Sequence, residues 1–107
     1  MPIHTVTVAE LDGTEFLLDV READEWEAGH AETATFIPMS TLITRLDEVP
    51  KDREVVVACK VGSRSAQVAA YLNQNGWTAR NLEGGMEAWV RAGRPLTSES
   101  GAPPRIA

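Results

Sequence analysis

The chain has one cysteine, Cys59, in 107 residues, so no internal disulfide can form and the fold must rest on an apolar core. No apolar run approaches the roughly 20 residues of a membrane-spanning helix. The start, Met1-Pro2-Ile3-His4, has no basic stretch leading into an apolar one, so no secretion signal is read there. A lone thiol then points to a reducing cytoplasm. No internal repeat is visible. The net charge of −6 argues against general nucleic-acid binding. Acids are missing from one segment: residues 55–82 hold none against three bases, Lys60, Arg64 and Arg80, whereas residues 1–54 hold thirteen acids against four bases. The thiol therefore lies in the only locally basic stretch. Strand and helix interiors poor in acids are the plainer explanation of that contrast.

What is present is ordinary for one compact domain: 43% apolar and 24% charged residues. Val6 and Val8 alternate with polar neighbours and mark a short first strand. Phe16 to Val20 is an apolar run of strand length. Glu22 to Gly29 reads as a short helix, with acids in its first turn. Ala34 to Ile37 is a third strand, ended by Pro38. Ser40 caps a helix with Leu42, Ile43 and Leu46 on one face. Glu54 to Ala58 is the clearest strand, and the helix that follows runs from Ser65 to Asn75 with Ser65, Val68, Ala69 and Leu72 inward. A short strand, Ala79 to Leu82, precedes a helix with Met86, Trp89 and Val90 on its inner stripe, stopped by Gly93 and Pro95. Residues 97–107 are rich in Ser, Gly and Pro and read as a loose tail. Strands alternating with helices predict an α/β domain with a mainly parallel sheet and helices on both faces. In such sheets the site lies beyond the carboxyl ends of the strands, where both Cys59 and Asp19-Val20-Arg21 fall.

Cys59 stands where the apolar run Val55-Val56-Val57-Ala58 gives way to a helix. There a thiol meets backbone N–H groups and the positive end of a helix dipole, both of which favour an anion. Between Cys59 and Arg64 lie Lys60, Val61, Gly62 and Ser63, and the glycine permits a tight inward curl of N–H groups. Such a cradle suits a sulfur anion or a small oxyanion. No dedicated general base is apparent, and an ionised thiol needs none.

The segments Leu17-Leu18-Asp19-Val20-Arg21-Glu22, Glu27-Ala28-Gly29-His30, Phe36-Ile37-Pro38, Cys59 to Ser65, and Asn81-Leu82-Glu83-Gly84-Gly85-Met86-Glu87-Ala88-Trp89 follow one another in an order that resembles the single-domain rhodaneses. These are thiosulfate or persulfide sulfurtransferases, and the likeness covers roughly residues 3–96. It implies a three-layer α/β domain over residues 1–96, with a mainly parallel five-stranded sheet flanked by helices, and a flexible C-terminal tail over 97–107. It also implies a double displacement: Cys59 takes sulfur from thiosulfate or a persulfide donor, and a thiol or cyanide acceptor removes it. A sulfur-carrier protein or a cysteine desulfurase is a candidate protein partner. No metal or organic cofactor is implied.

Within that resemblance the backbone of residues 60–65 holds the persulfide, with Asp19 and Arg21 supporting the rim and Asp19 pairing with Lys60 or Arg64. Arg64 either binds the donor's sulfonate end or pairs with an acid to hold the loop. Lys60 faces the entrance. Ser63 and Ser65 can donate to sulfur or cap the helix, and capping with packing is the reading for Ser65. His30 is structural, and Trp26, Trp77 and Trp89 are packing residues. The family's phosphatase and arsenate-reductase relatives have a loop one residue longer and tend to carry a histidine where this chain has Ala58. Oxyanion chemistry on the same fold, and a non-catalytic binding module, remain the alternatives. The chain departs from the family at Ala31-Glu32-Thr33-Ala34, where small residues usually stand, and has no second cysteine to resolve a persulfide internally.

Overall fold

A computed structural model describes residues 4–107; the first three positions of the expected domain lie outside the described residues. Five strands form one all-parallel sheet: β1 (Thr5–Val6), β2 (Phe16–Asp19), β3 (Thr35–Phe36), β4 (Val55–Ala58) and β5 (Ala79–Leu82), in spatial order β1-β5-β4-β2-β3. β4 is central because all four of its side chains are apolar and small enough to be buried on both faces. Its register against β2 sets Phe16 beside Val55 and Asp19 beside Ala58.

The alternation of side chains along the strands splits the core in two. Leu18, Val20, Val55 and Val57 point to one face, where α2 (Ser63–Gln74) covers them with Val68, Ala69 and Leu72. Leu17, Val56, Ala58 and Leu82 point to the other, against Met86 and Trp89 of α3 (Gly85–Arg91). The sheet is thus a filling between two helical layers. The third helix, α1 (Ala23–Ala28), follows β2.

Several local expectations shift. Val8 lies in a 3-10 turn, Val8–Glu10, rather than in the first strand. The helix expected from Ser40 is a 3-10 segment, Met39–Glu48, entered from Pro38 and kinked at Arg45. With about three residues per turn, Leu42 goes inward and its neighbour Ile43 is turned out, 63% exposed. Val90 is likewise half out, because Met86 and Trp89 already fill the inner stripe of so short a helix. Residues 97–107 form no helix, but they are tied to the domain. Thr97 and His30 exchange backbone hydrogen bonds of 2.9 and 2.8 Å, Glu99 N–H donates to Glu27 O, Arg105 N–H donates to Ala28 O, and Ile106 packs on the second core.

Candidate active site

Cys59 is the first residue beyond the central strand, with Gly62 as the residue that starts α2. Gly62 has φ +111°, a left-handed conformation that turns the chain sharply at no side-chain cost. The turn brings the Gly62 N–H to 3.1 Å from Cys59 Sγ, while the Ser65 hydroxyl stands 3.3 Å from the same sulfur. Cys59 has no accessible surface. Burial pushes the thiol pKa up and is the largest single influence on it. The Ser65 hydroxyl and the N–H groups of Ser65, Gly62 and Val61 together outweigh it and leave the thiol below its usual value.

The loop is held from outside as well. The N–H groups of Met86 and Glu87, at the start of α3, donate to Cys59 O and Lys60 O at 2.8 and 3.1 Å. Tying those carbonyls toward α3 leaves the following N–H groups free to face the sulfur. The approach is close enough that a Cβ on Gly85 would lie 2.4 Å from Cys59 O, which is why glycine stands there. Asn81, at the end of β5, donates its side-chain N–H to Gly62 O at 3.0 Å and accepts from Ser65 at 2.5 Å.

Residues 6–92 match the rhodanese-like domain family. The chain is a rhodanese-family member. A sulfurtransferase of Allochromatium vinosum is 42% identical over 79% of this chain and 80% of its own length. The Bacillus subtilis protein YtwF, named provisionally as a sulfurtransferase, is 37% identical over 80% of this chain and 84% of its own length. The crystal structure of a rhodanese-related protein from Thermoplasma volcanium superposes with a TM-score of 0.83 at 30% identity, covering 88% of this chain and 97% of that one. Relatives at this identity and coverage support sulfur transfer at the level of the family.

In this chain the expected loop residues divide by what they touch. Gly62 and Ser65 reach the sulfur directly. Ser65 does not cap the helix. α2 begins two residues before it, so Ser65 falls in the first turn and points inward, fully buried. Ser63 and Val61 are exposed, and Lys60 is half-buried with no ion-pair partner among the described residues. Arg64 makes no hydrogen bond to the sulfur and pairs with both oxygens of Glu25 on α1, at 2.7 and 2.9 Å. The Arg64 guanidinium holds the Glu25 carboxyl down at about 2.

Asp19 pairs with neither Lys60 nor Arg64. It accepts from the backbone N–H and the guanidinium of Arg21, both side chains being fully buried, and Arg21 passes a further hydrogen bond to Gly29 O at 2.8 Å. Two residues of separation let Arg21 fold back on Asp19 before any loop residue can reach it. This pair therefore ties β2 to the end of α1. His30 is buried and structural in its contacts: its ring stacks on Trp26 at 3.5 Å, and its nitrogens lie 3.0 Å from Ala31 O and 3.2 Å from Glu99. Two residues at the loop escape a sequence reading. Glu25 looks like any helix-start acid, and Asn81 like a polar residue ending a strand. A buried-strand position filled by an amide was the one available signal for Asn81.

Proposed function

We propose that this protein moves sulfane sulfur through a persulfide on Cys59. The observation that carries the reading is the lone thiol's sulfur, placed at the end of the central strand and met by the Gly62 N–H and the Ser65 hydroxyl. The thiolate attacks the outer sulfur of thiosulfate or of a persulfide. The donor's S–S bond breaks, and sulfite or a thiolate leaves with the electron pair. The new outer sulfur carries the negative charge and is held by the loop N–H groups, as an oxyanion is held elsewhere. A nucleophilic acceptor, cyanide or a thiol, then takes that sulfur and restores the Cys59 thiolate.

Cys59 has no accessible surface, so the loop must part for the donor, and a single sulfur atom asks least of that opening. Lys60, without an ion-pair partner among the described residues, supplies positive charge beside the entrance. Val61, 51% exposed, gives that side an apolar spot against which a carrier protein or desulfurase can rest. A reducing compartment suits a protein whose only thiol must stay free.

Incubation with thiosulfate is expected to add one sulfur atom to the intact mass. Cys59→Ser is expected to lose both that adduct and thiocyanate formation from cyanide. Full transfer by the folded variant would overturn the persulfide. Turnover of arsenate or a phosphate ester in place of thiosulfate would assign the loop to oxyanions. A folded wild-type protein that takes no sulfur from thiosulfate or glutathione persulfide would be a binding module.

A further inference from the structure

The Ser65 hydroxyl has two acceptors and one proton. Its oxygen lies 2.5 Å from Asn81 Oδ1 and 3.3 Å from Cys59 Sγ. The orientation of the Asn81 amide is set from its other end, because its nitrogen donates to Gly62 O at 3.0 Å. The oxygen must then face Ser65. Both Ser65 and Asn81 are buried, with 0% and 7% of their surface exposed, so no bulk water replaces a lost partner. We propose that Asn81 is a positioning residue that competes with the Cys59 sulfur for the single proton of the Ser65 hydroxyl.

The competition has two states. While Cys59 is a thiol, its S–H donates to Ser65 Oγ, and Ser65 donates onward to Asn81. Every group in the chain is satisfied. When Cys59 ionises, the sulfur has no proton to give and needs donors. Ser65 then turns toward it and leaves the Asn81 oxygen buried without a partner, which costs free energy. Asn81 therefore holds the thiol pKa higher than the cradle alone would set it. The bearing of this on catalysis rests on the sulfur-transfer reading: a thiolate stabilised less keeps more of its nucleophilicity. After sulfur is taken on, the charge sits on the outer atom, and the Ser65 proton returns to Asn81.

The test follows the thiolate by its ultraviolet absorbance across pH, with no sulfur donor present. Asn81→Leu is expected to lower the Cys59 pKa by about 0.5–1 unit. The same substitution in a Ser65→Ala background is expected to change nothing, since the contested proton is gone. Asn81→Asp, which keeps an acceptor toward Ser65, is expected not to lower it. The charged groups on the elements around the sulfur are Lys60, the Arg64–Glu25 and Asp19–Arg21 pairs, Glu22, Asp24 and Glu27 at α1, Arg80 on β5, and Glu83, Glu87 and Arg91 at α3, and Asn81→Leu changes none of them. An unchanged or raised pKa in Asn81→Leu, or an equal fall in the Ser65→Ala background, overturns the proposal. Should the buried substitution prevent folding, the unaltered protein decides the matter. The side-chain carbonyl carbon resonance of Asn81 is expected to titrate with Cys59, and a flat response overturns the proposal. Because no donor is used, failure here is separate from failure of sulfur transfer.

Discussion

A cysteine without accessible surface would hold its proton tightly on burial alone, so the reactivity of Cys59 depends on a few named donors. Ser65 provides the strongest of them. Ser65→Ala is expected to raise the thiol pKa by about 1 unit and to cut the thiolate fraction at neutral pH severalfold. The pH dependence of alkylation, or thiolate absorbance, measures both. The place of Cys59 was legible from sequence, because an apolar run ending in a cysteine and followed by a helical pattern marks a strand-to-helix junction. The role of Ser65 was not. Whether a serine after a glycine loop caps a helix or points at sulfur depends on where the helix begins, and a shift of two residues rotates the side chain to the other side.

At the scale of elements, the loop is clamped from both sides of the sheet. Glu25 on α1 and Arg64 on α2 form the first clamp. The folded pKa of Glu25 is about 2 against an ordinary 4.5, so its stabilisation is present in full above the unfolded value and is lost as pH falls through 4 toward 2. Arg64 is 34% exposed, and solvent screening reduces the contribution to about 1–2 kcal/mol. Glu25→Gln is expected to lose that much in urea unfolding at pH 7, with the gap to wild type closing between pH 5 and 2.

The second clamp is the start of α3, and two glycines separate conformational need from space. At Gly62 an added Cβ would meet nothing nearer than 3.6 Å, so Gly62→Ala bears only its positive φ, about 1–2 kcal/mol. At Gly85 the Cβ would strike the Cys59 and Lys60 carbonyls at 2.4 and 2.6 Å, on top of a φ of +58°. Gly85→Ala is therefore expected to destabilise by more than Gly62→Ala and to disturb the sulfur site with it. Thermal unfolding and transfer activity of the two variants provide the comparison. Gly84-Gly85 stands in the sequence as part of the segment that resembles the family. Its partner, the Cys59–Lys60 peptide some twenty-five residues earlier, could not be read there, since that proximity is created by β4 and β5 lying side by side.

Across the whole molecule, residues 97–107 act as a strap over the end of α1. The segment's composition reads as loose because it has no periodicity, yet backbone bonds to His30, Glu27 and Ala28 hold it at Thr97, Glu99 and Arg105. A Cβ on Gly29 would lie 2.3 Å from Arg105 O, so the strap requires glycine beneath it. Removing residues 97–107 is expected to lower the unfolding free energy by about 1–3 kcal/mol, through the lost Ile106 packing and the lost hydrogen bonds. Denaturant unfolding of the shortened chain checks this, and an unchanged midpoint would mean that the strap contributes nothing.

Strand and helix alternation, the apolar make-up of β4, the inward face of α2 and the place of the single thiol could all be read along the chain. These follow from local periodicity and composition, which a linear chain carries openly. Which side chains meet could not be read that way, because it depends on how the elements pack. Arg64 meets Glu25 across two helices, Asp19 keeps Arg21 to itself, and Asn81 comes from the neighbouring strand to contest the Ser65 proton. Each pairing depends on angstrom-scale distances between segments far apart in sequence. At Cys59, those distances rather than residue types decide how tightly the sulfur holds its proton.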